Sequence, residues 1–107
     1  MNPQLKKGLV EMCILSLISA AGEMYGYEII EQIREDMGET PEATIYLALK
    51  RLNERGYISF TAKPSEAGPP RKYYRLSENG TEYLTELRTE WGRLEKILQK
   101  YIQGAIL

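Results

Sequence analysis

Apolar residues recur along residues 4–21 at Leu5, Leu9, Met12, Cys13, Leu15, Leu17, Ile18 and Ala21, a near-helical spacing that predicts a first helix. So many apolar positions in one segment imply burial on more than one face. Gly22 follows, suited to the left-handed turn that closes a helix. A second helix is predicted from about Tyr25 to Met37, with Tyr27, Ile29, Ile30, Ile33 and Met37 on its apolar face and Gly38 at its end. Thr40-Pro41-Glu42 reads as the start of a third helix. Thr40 fits the N-cap, Pro41 the first helical position, and Glu42 the positive end of the helix dipole. This helix is expected to run to Arg55 and stop at Gly56. On a helical wheel Ile45, Ala48, Leu49 and Leu52 share one side, which must face a core. Ala43, Leu47 and Lys50 lie opposite, flanked by Thr44, Tyr46 and Arg51.

The period then changes. Residues 57–63, YISFTAK, alternate and are rich in β-branched and aromatic types, and residues 71–76, RKYYRL, alternate as well. The turn segment PSEAGPP lies between them, so the pair reads as a two-stranded hairpin. Ile58 and Phe60 should meet Tyr74 and Leu76 on one face, leaving Arg71, Tyr73 and Arg75 on the other. A lone hairpin is marginal in water and must pack against the helices. The last helix starts near Ser77. Its Leu84, Leu87, Trp91, Leu94, Leu98, Tyr101 and Ala105 are spaced 3, 4, 3, 4, 3, 4, a heptad seam. Few elements remain to cover it, and an uncovered stripe of that length would be a large apolar patch, so a self-pairing helix is expected.

The fold class that results is mainly α with a small two-stranded β wing. The second and third helices, joined by a short Gly-containing turn, form a helix-turn-helix, and the hairpin is its wing. Residues 1–76 are read as a winged helix-turn-helix domain and residues 77–107 as a C-terminal dimerisation helix.

Composition narrows the function. A chain of 107 residues suits one domain with a modest core. It has no histidine, which removes the commonest general base and the commonest metal ligand, so neither an enzyme nor a metal site or other cofactor is expected. Cys13 is the single cysteine and sits in an apolar run, where it reads as a small buried hydrophobe. The run LVEMCILSLISAA contains Glu11, is too short to span a membrane and lacks a clear cleavage site. A cytoplasmic protein with no membrane partner is expected.

The net charge of −1 is poor for a nucleic-acid binder, but it hides a segregation. Residues 50–75 hold seven basic residues (Lys50, Arg51, Arg55, Lys63, Arg71, Lys72 and Arg75) against Glu54 and Glu66, a net of +5. The rest of the chain carries seven basic and thirteen acidic residues, a net of −6. A basic segment on an acidic body is an electrostatic footprint. The outward face of the third helix joins small, apolar, phenolic and cationic side chains, which matches a helix laid in a major groove. A solvated face with a stray Leu47 is the plainer reading of the same residues.

ATIYLALKRLNERGYI (43–58) followed by AGPPRKYYRLSENG (67–80) resembles the PadR family of bacterial transcriptional regulators, and YGYEIIEQI (25–33) matches that family's second helix. The resemblance implies a regulator that binds double-stranded DNA as a homodimer. Thr44, Tyr46, Leu47 and Lys50 would lie at the groove, with Arg51, Lys63, Arg71 and Lys72 on phosphate or the flanking minor groove. Leu47 stands where many members carry proline, a departure on the outward surface of the helix. The short C-terminus with EWGRLEKIL (90–98) is similar to the smaller subgroup, in which one helix per subunit makes the dimer. That assigns Leu84, Leu87, Trp91, Leu94, Leu98 and Tyr101 to the dimer interface. Some members of the subgroup hold flat aromatic drugs between a tryptophan from each subunit. By that likeness Trp91, with Leu87, Arg88 and Glu95 near it and Ser16 and Leu17 opposite, would receive a small aromatic effector. Arg88 is a second departure, since an apolar or aromatic residue there would make a better slot, and Trp91 reads equally as a plain dimer-core aromatic. The function expected is a ligand-responsive repressor on a pseudo-palindromic promoter site. The alternative is a winged-helix protein-interaction module that binds no DNA.

Overall fold

In the computed structural model, which describes residues 3–104 with the side chains of residues 3–5 and 7 excepted, four helices and three short strands follow one another along the chain. Of the predicted apolar positions, the Leu5 side chain and Ala105 lie outside the described residues. The order is α1 (Pro3–Ala21), β1 (Met24–Tyr25), α2 (Gly26–Asp36), α3 (Glu42–Glu54), β2 (Ile58–Lys63), β3 (Arg71–Leu76) and α4 (Glu78–Gln103).

Helix α1 is central, in contact with α2, α3, α4 and β3. Its most buried residues are Val10, Ile14, Leu15 and Ile18. Val10 and Ile14 were absent from the predicted apolar set, while Leu9, Met12, Cys13 and Leu17 are half-buried and Ala21 is exposed. An amphipathic template selects one stripe, and this helix is covered on several sides. Gly22 has φ +80° and donates its N–H to the Ile18 carbonyl at 2.8 Å, ending α1 in the left-handed turn.

Ile29, Ile30 and Ile33 of α2 pack against Ile45, Ala48, Leu49 and Leu52 of α3, the four core residues expected from the wheel. Tyr27 does not join them and is about half exposed. Thr40 is not the N-cap of α3 either. Pro41 holds that position, its carbonyl taking the Thr44 N–H at 3.0 Å, and the Thr40 side chain is buried with its hydroxyl unpartnered.

The sheet has three antiparallel strands in the order β1-β3-β2, one more than the hairpin predicted. Met24 and Tyr25 pair with Tyr74 and Tyr73, and β2 pairs with β3 from Ile58↔Leu76 to Lys63↔Arg71. Ile58 and Tyr74 are buried and Leu76 half-buried, as expected, but Phe60 stays 40% exposed beside the Tyr74 ring. Gly26 lies so close to Tyr74 that an added Cβ would stand 3.0 Å from its ring. The start of α2 is thereby held on the wing.

Ser77 caps α4 by accepting the Gly80 N–H at 3.0 Å, while its own hydroxyl donates to the Gly56 carbonyl at 2.5 Å. Tyr83 stacks on Tyr57 with ring centroids 4.2 Å apart. Beyond the buried Leu84 and half-buried Leu87, α4 runs out of partners: Trp91, Leu94, Ile97, Leu98, Tyr101 and Ile102 are all exposed by 45% or more. No described helix is long and apolar enough to cross a membrane.

Candidate nucleic-acid interface

Helix α3 buries one side in the core, so its opposite side is presented outward by the same 3.6-residue period. Thr44, Tyr46, Leu47 and Lys50 are exposed together there, Tyr46 and Leu47 each by about half. Among the described residues Lys50 has no carboxylate partner. Arg51, one position round the helix, is partly buried, its Nε 3.5 Å from Glu11 Oε1 of α1; Arg55 reaches the same oxygen at 4.0 Å.

The wing carries four more cations, two of which line a groove with α3. Arg71 and Lys72 are exposed where β3 leaves the turn, and both rest on aromatic rings: the Arg71 guanidinium 4.8 Å from the Tyr25 centroid, the Lys72 ammonium 4.7 Å from that of Phe60. Neither has a carboxylate partner among the described residues. Lys63 and Arg75 instead share Glu23, Nζ to Oε2 at 3.0 Å and Nη2 to Oε1 at 3.4 Å. The Lys63 bond, with smaller help from Lys63's charge and from Arg75, holds the Glu23 carboxyl below the usual carboxylate range.

Between the start of α2, the first turns of α3 and the wing turn lies an open groove of about 490 Å³. Tyr25, Tyr27, Tyr46, Arg71 and Lys72 line it. A bond to the Glu31 carboxylate raises the Tyr27 phenol above its ordinary value, and burial followed by the neighbouring Tyr46 does the same for Tyr74. Raised in this way, the Tyr27 and Tyr74 phenols stay protonated near neutral pH. Cations and phenol donors beside an exposed helix suit a polyanion.

The residues assigned to an effector fall in two places. Leu87, Arg88, Trp91 and Glu95 lie on α4, with Leu87 half-buried and the others exposed. Ser16 and Leu17 line an apolar recess of about 250 Å³ with Cys13, Ala20, Ile33, Asp36 and Met37, and Trp91 is not part of it. Burial, then the charge of Asp36, pushes the Cys13 thiol up, which leaves it a poor nucleophile. Among the described residues no cluster of His, Cys, Asp and Glu could hold a metal ion.

Sequence reasoning missed Glu11, Glu23 and Tyr25. Glu23 meets Lys63 across 40 positions of chain, and no periodicity records such a contact. The one available signal was electrostatic, since a segment of net +5 calls for counter-charges from the acidic body.

A family model described as "Transcriptional regulator PadR-like family" matches residues 14–86. A PadR-like transcriptional regulator from Bacillus cereus strain ATCC 14579 superposes with a TM-score of 0.81 at 36% identity, over 94% of this chain and 97% of that one. A Streptococcus transcriptional regulator gives 0.82 at 33%, over 95% and 100%. The negative transcriptional regulator PadR of Bacillus subtilis (strain 168) is 29% identical over 79 residues, which are 71% of this chain and 43% of that one.

Proposed function

The chain belongs to the PadR-like family of transcriptional regulators, and from that premise we propose that it is a homodimeric repressor reading a pseudo-palindromic promoter site. It is a winged-helix regulator and not an enzyme. The observation that carries the reading is the outward face of α3, where Thr44, Tyr46, Leu47 and Lys50, which has no carboxylate partner among the described residues, stand beside the wing cations Arg71 and Lys72. The α3 side chains supply base-edge contacts, and the wing supplies phosphate contacts that add affinity without sequence information. Lys63 joins them by exchanging a carboxylate for a phosphate, since exposed ion pairs are worth only about 0–1 kcal/mol, and Arg51 would do the same from its partly buried pair with Glu11. Repression follows the printed role of the Bacillus subtilis relative.

The uncovered stripe on α4 supports the dimer. Trp91, Leu94, Leu98 and Tyr101 are large, apolar and exposed in a single chain, and a second copy of the same helix covers them. A two-fold dimer carries two α3 helices to one side of a duplex and asks for a site with matching symmetry. A flat aromatic effector held near Trp91, with Leu87, Arg88 and Glu95 around it and Ser16 and Leu17 facing it, would change the angle between the two α4 helices. It acts only if it binds the two arrangements unequally.

Gel shift on the protein's own upstream region, at several salt concentrations, tests the DNA reading. A specific complex that weakens steeply with salt is expected, and the absence of one sinks the reading in favour of a protein-interaction module. Titration with planar dyes while following Trp91 fluorescence tests the effector. Dye binding that survives Trp91→Ala unchanged rules out the tryptophan slot.

A further inference from the structure

The wing's cations divide into two kinds, and the division follows the sheet. Arg71 and Lys72, next to the turn, rest on aromatic rings and have no carboxylate partner among the described residues. Lys63 and Arg75 converge on one carboxylate, that of Glu23, which the left-handed turn at Gly22 delivers to the start of β1. Lys63 stands on β2, and β3 lies between β2 and β1. Its side chain therefore crosses β3 to reach Glu23, and on the way its ammonium passes 4.6 Å from the centre of the Tyr73 ring. Lys63 is the last residue of β2, beside the turn, yet its charge is drawn back along the sheet and away from the turn.

We infer that Glu23 is a charge latch on the wing: in the free protein it holds Lys63 and Arg75 against the outer face of the sheet, and DNA phosphates must displace it to use them. This rests on the DNA-binding reading above and adds to it a residue that sets affinity without touching DNA. The carboxylate is charged at neutral pH as any exposed glutamate is, and its two cations hold its pKa lower still. Exposed pairs of this kind are weak enough for a phosphate to break, so the latch tunes binding rather than blocking it. While the latch is closed, Lys63 and Arg75 neutralise Glu23 and not phosphate, so the wing neutralises fewer phosphates on binding. The salt dependence of binding reports that number, with about 0.9 in slope for each phosphate neutralised.

The test is a double-mutant cycle on the operator fragment found by gel shift. Glu23→Gln keeps the shape of the side chain and removes its charge. In the unmodified background it should tighten binding about fivefold and steepen the plot of log affinity against log salt by about one unit. In a Lys63→Met/Arg75→Met background, where nothing is left to latch, the same substitution should change affinity by less than about twofold. Equal tightening in both backgrounds would mean simple repulsion between Glu23 and DNA and would overturn the latch. So would no tightening, or weaker binding, in the unmodified background. Failure of the DNA reading is distinguishable, because the unmodified protein would then form no specific complex at all.

Discussion

Thr40 is 1% exposed and its hydroxyl meets no partner among the described residues, so a polar group is buried there at a cost and caps nothing. Thr40→Val keeps the β-branched shape and removes the orphaned oxygen, and a gain of about 1 kcal/mol in urea unfolding is expected. A capping threonine would instead lose about 1 kcal/mol on truncation. Gly80 gives a second case where the neighbours reverse the local rule. In an open helix Gly→Ala adds about 1 kcal/mol, but here a Cβ would overlap the Tyr57 carbonyl oxygen. Gly80→Ala should cost about 3 kcal/mol by the same measurement, because the clash is with backbone that cannot swing away. Glu23 adds a pH dependence. Its folded pKa is depressed, so the stability it contributes is complete above the usual carboxylate range and is lost as pH falls through the lower folded value. Thermal melts of the unmodified protein and Glu23→Gln should therefore differ near pH 6 and converge in acid.

Among the elements, α3 was the most legible. Its core residues Ile45, Ala48, Leu49 and Leu52 recur at helical spacing, and burial followed the wheel. The strands β2 and β3 were legible by alternation, and their register placed Ile58 opposite Leu76 and Phe60 opposite Tyr74. Strand β1 was not, since two residues have no period, and only pairing with β3 makes Met24 and Tyr25 a strand. The face of α2 was misjudged at Tyr27 for a related reason. Gly26 is pressed onto the Tyr74 ring, which puts 26, 29, 30 and 33 inward and turns Tyr27 into the groove by α3. The two elements proposed to face DNA should separate in binding assays. Lys50→Ala on α3 should cost about 1–3 kcal/mol and relax discrimination between operator and mutated operator, whereas Arg71→Ala on the wing should weaken both alike and lower the salt slope by about one.

At the scale of the whole molecule, α4 is a helix of 26 residues that is buried in the domain only at Gly80 and Leu84. The proposed dimer covers the apolar stripe beyond them, so the unmodified protein should sediment as a dimer and Leu98→Lys as a folded monomer at micromolar concentration. Helical and strand periods, the heptad seam and the charge segregation are properties of neighbours in the chain, and the sequence alone determined them. Spacing sets which side chains share a face, whatever that face later meets. The partners of those faces were decided only in three dimensions. Glu23 holds Lys63 across 40 positions and Arg75 across 52, Glu11 gathers two arginines of the third helix and its end, and Gly80 seats on Tyr57. Each is a contact between distant segments, fixed by packing and reach in a folded core, and no local pattern encodes it.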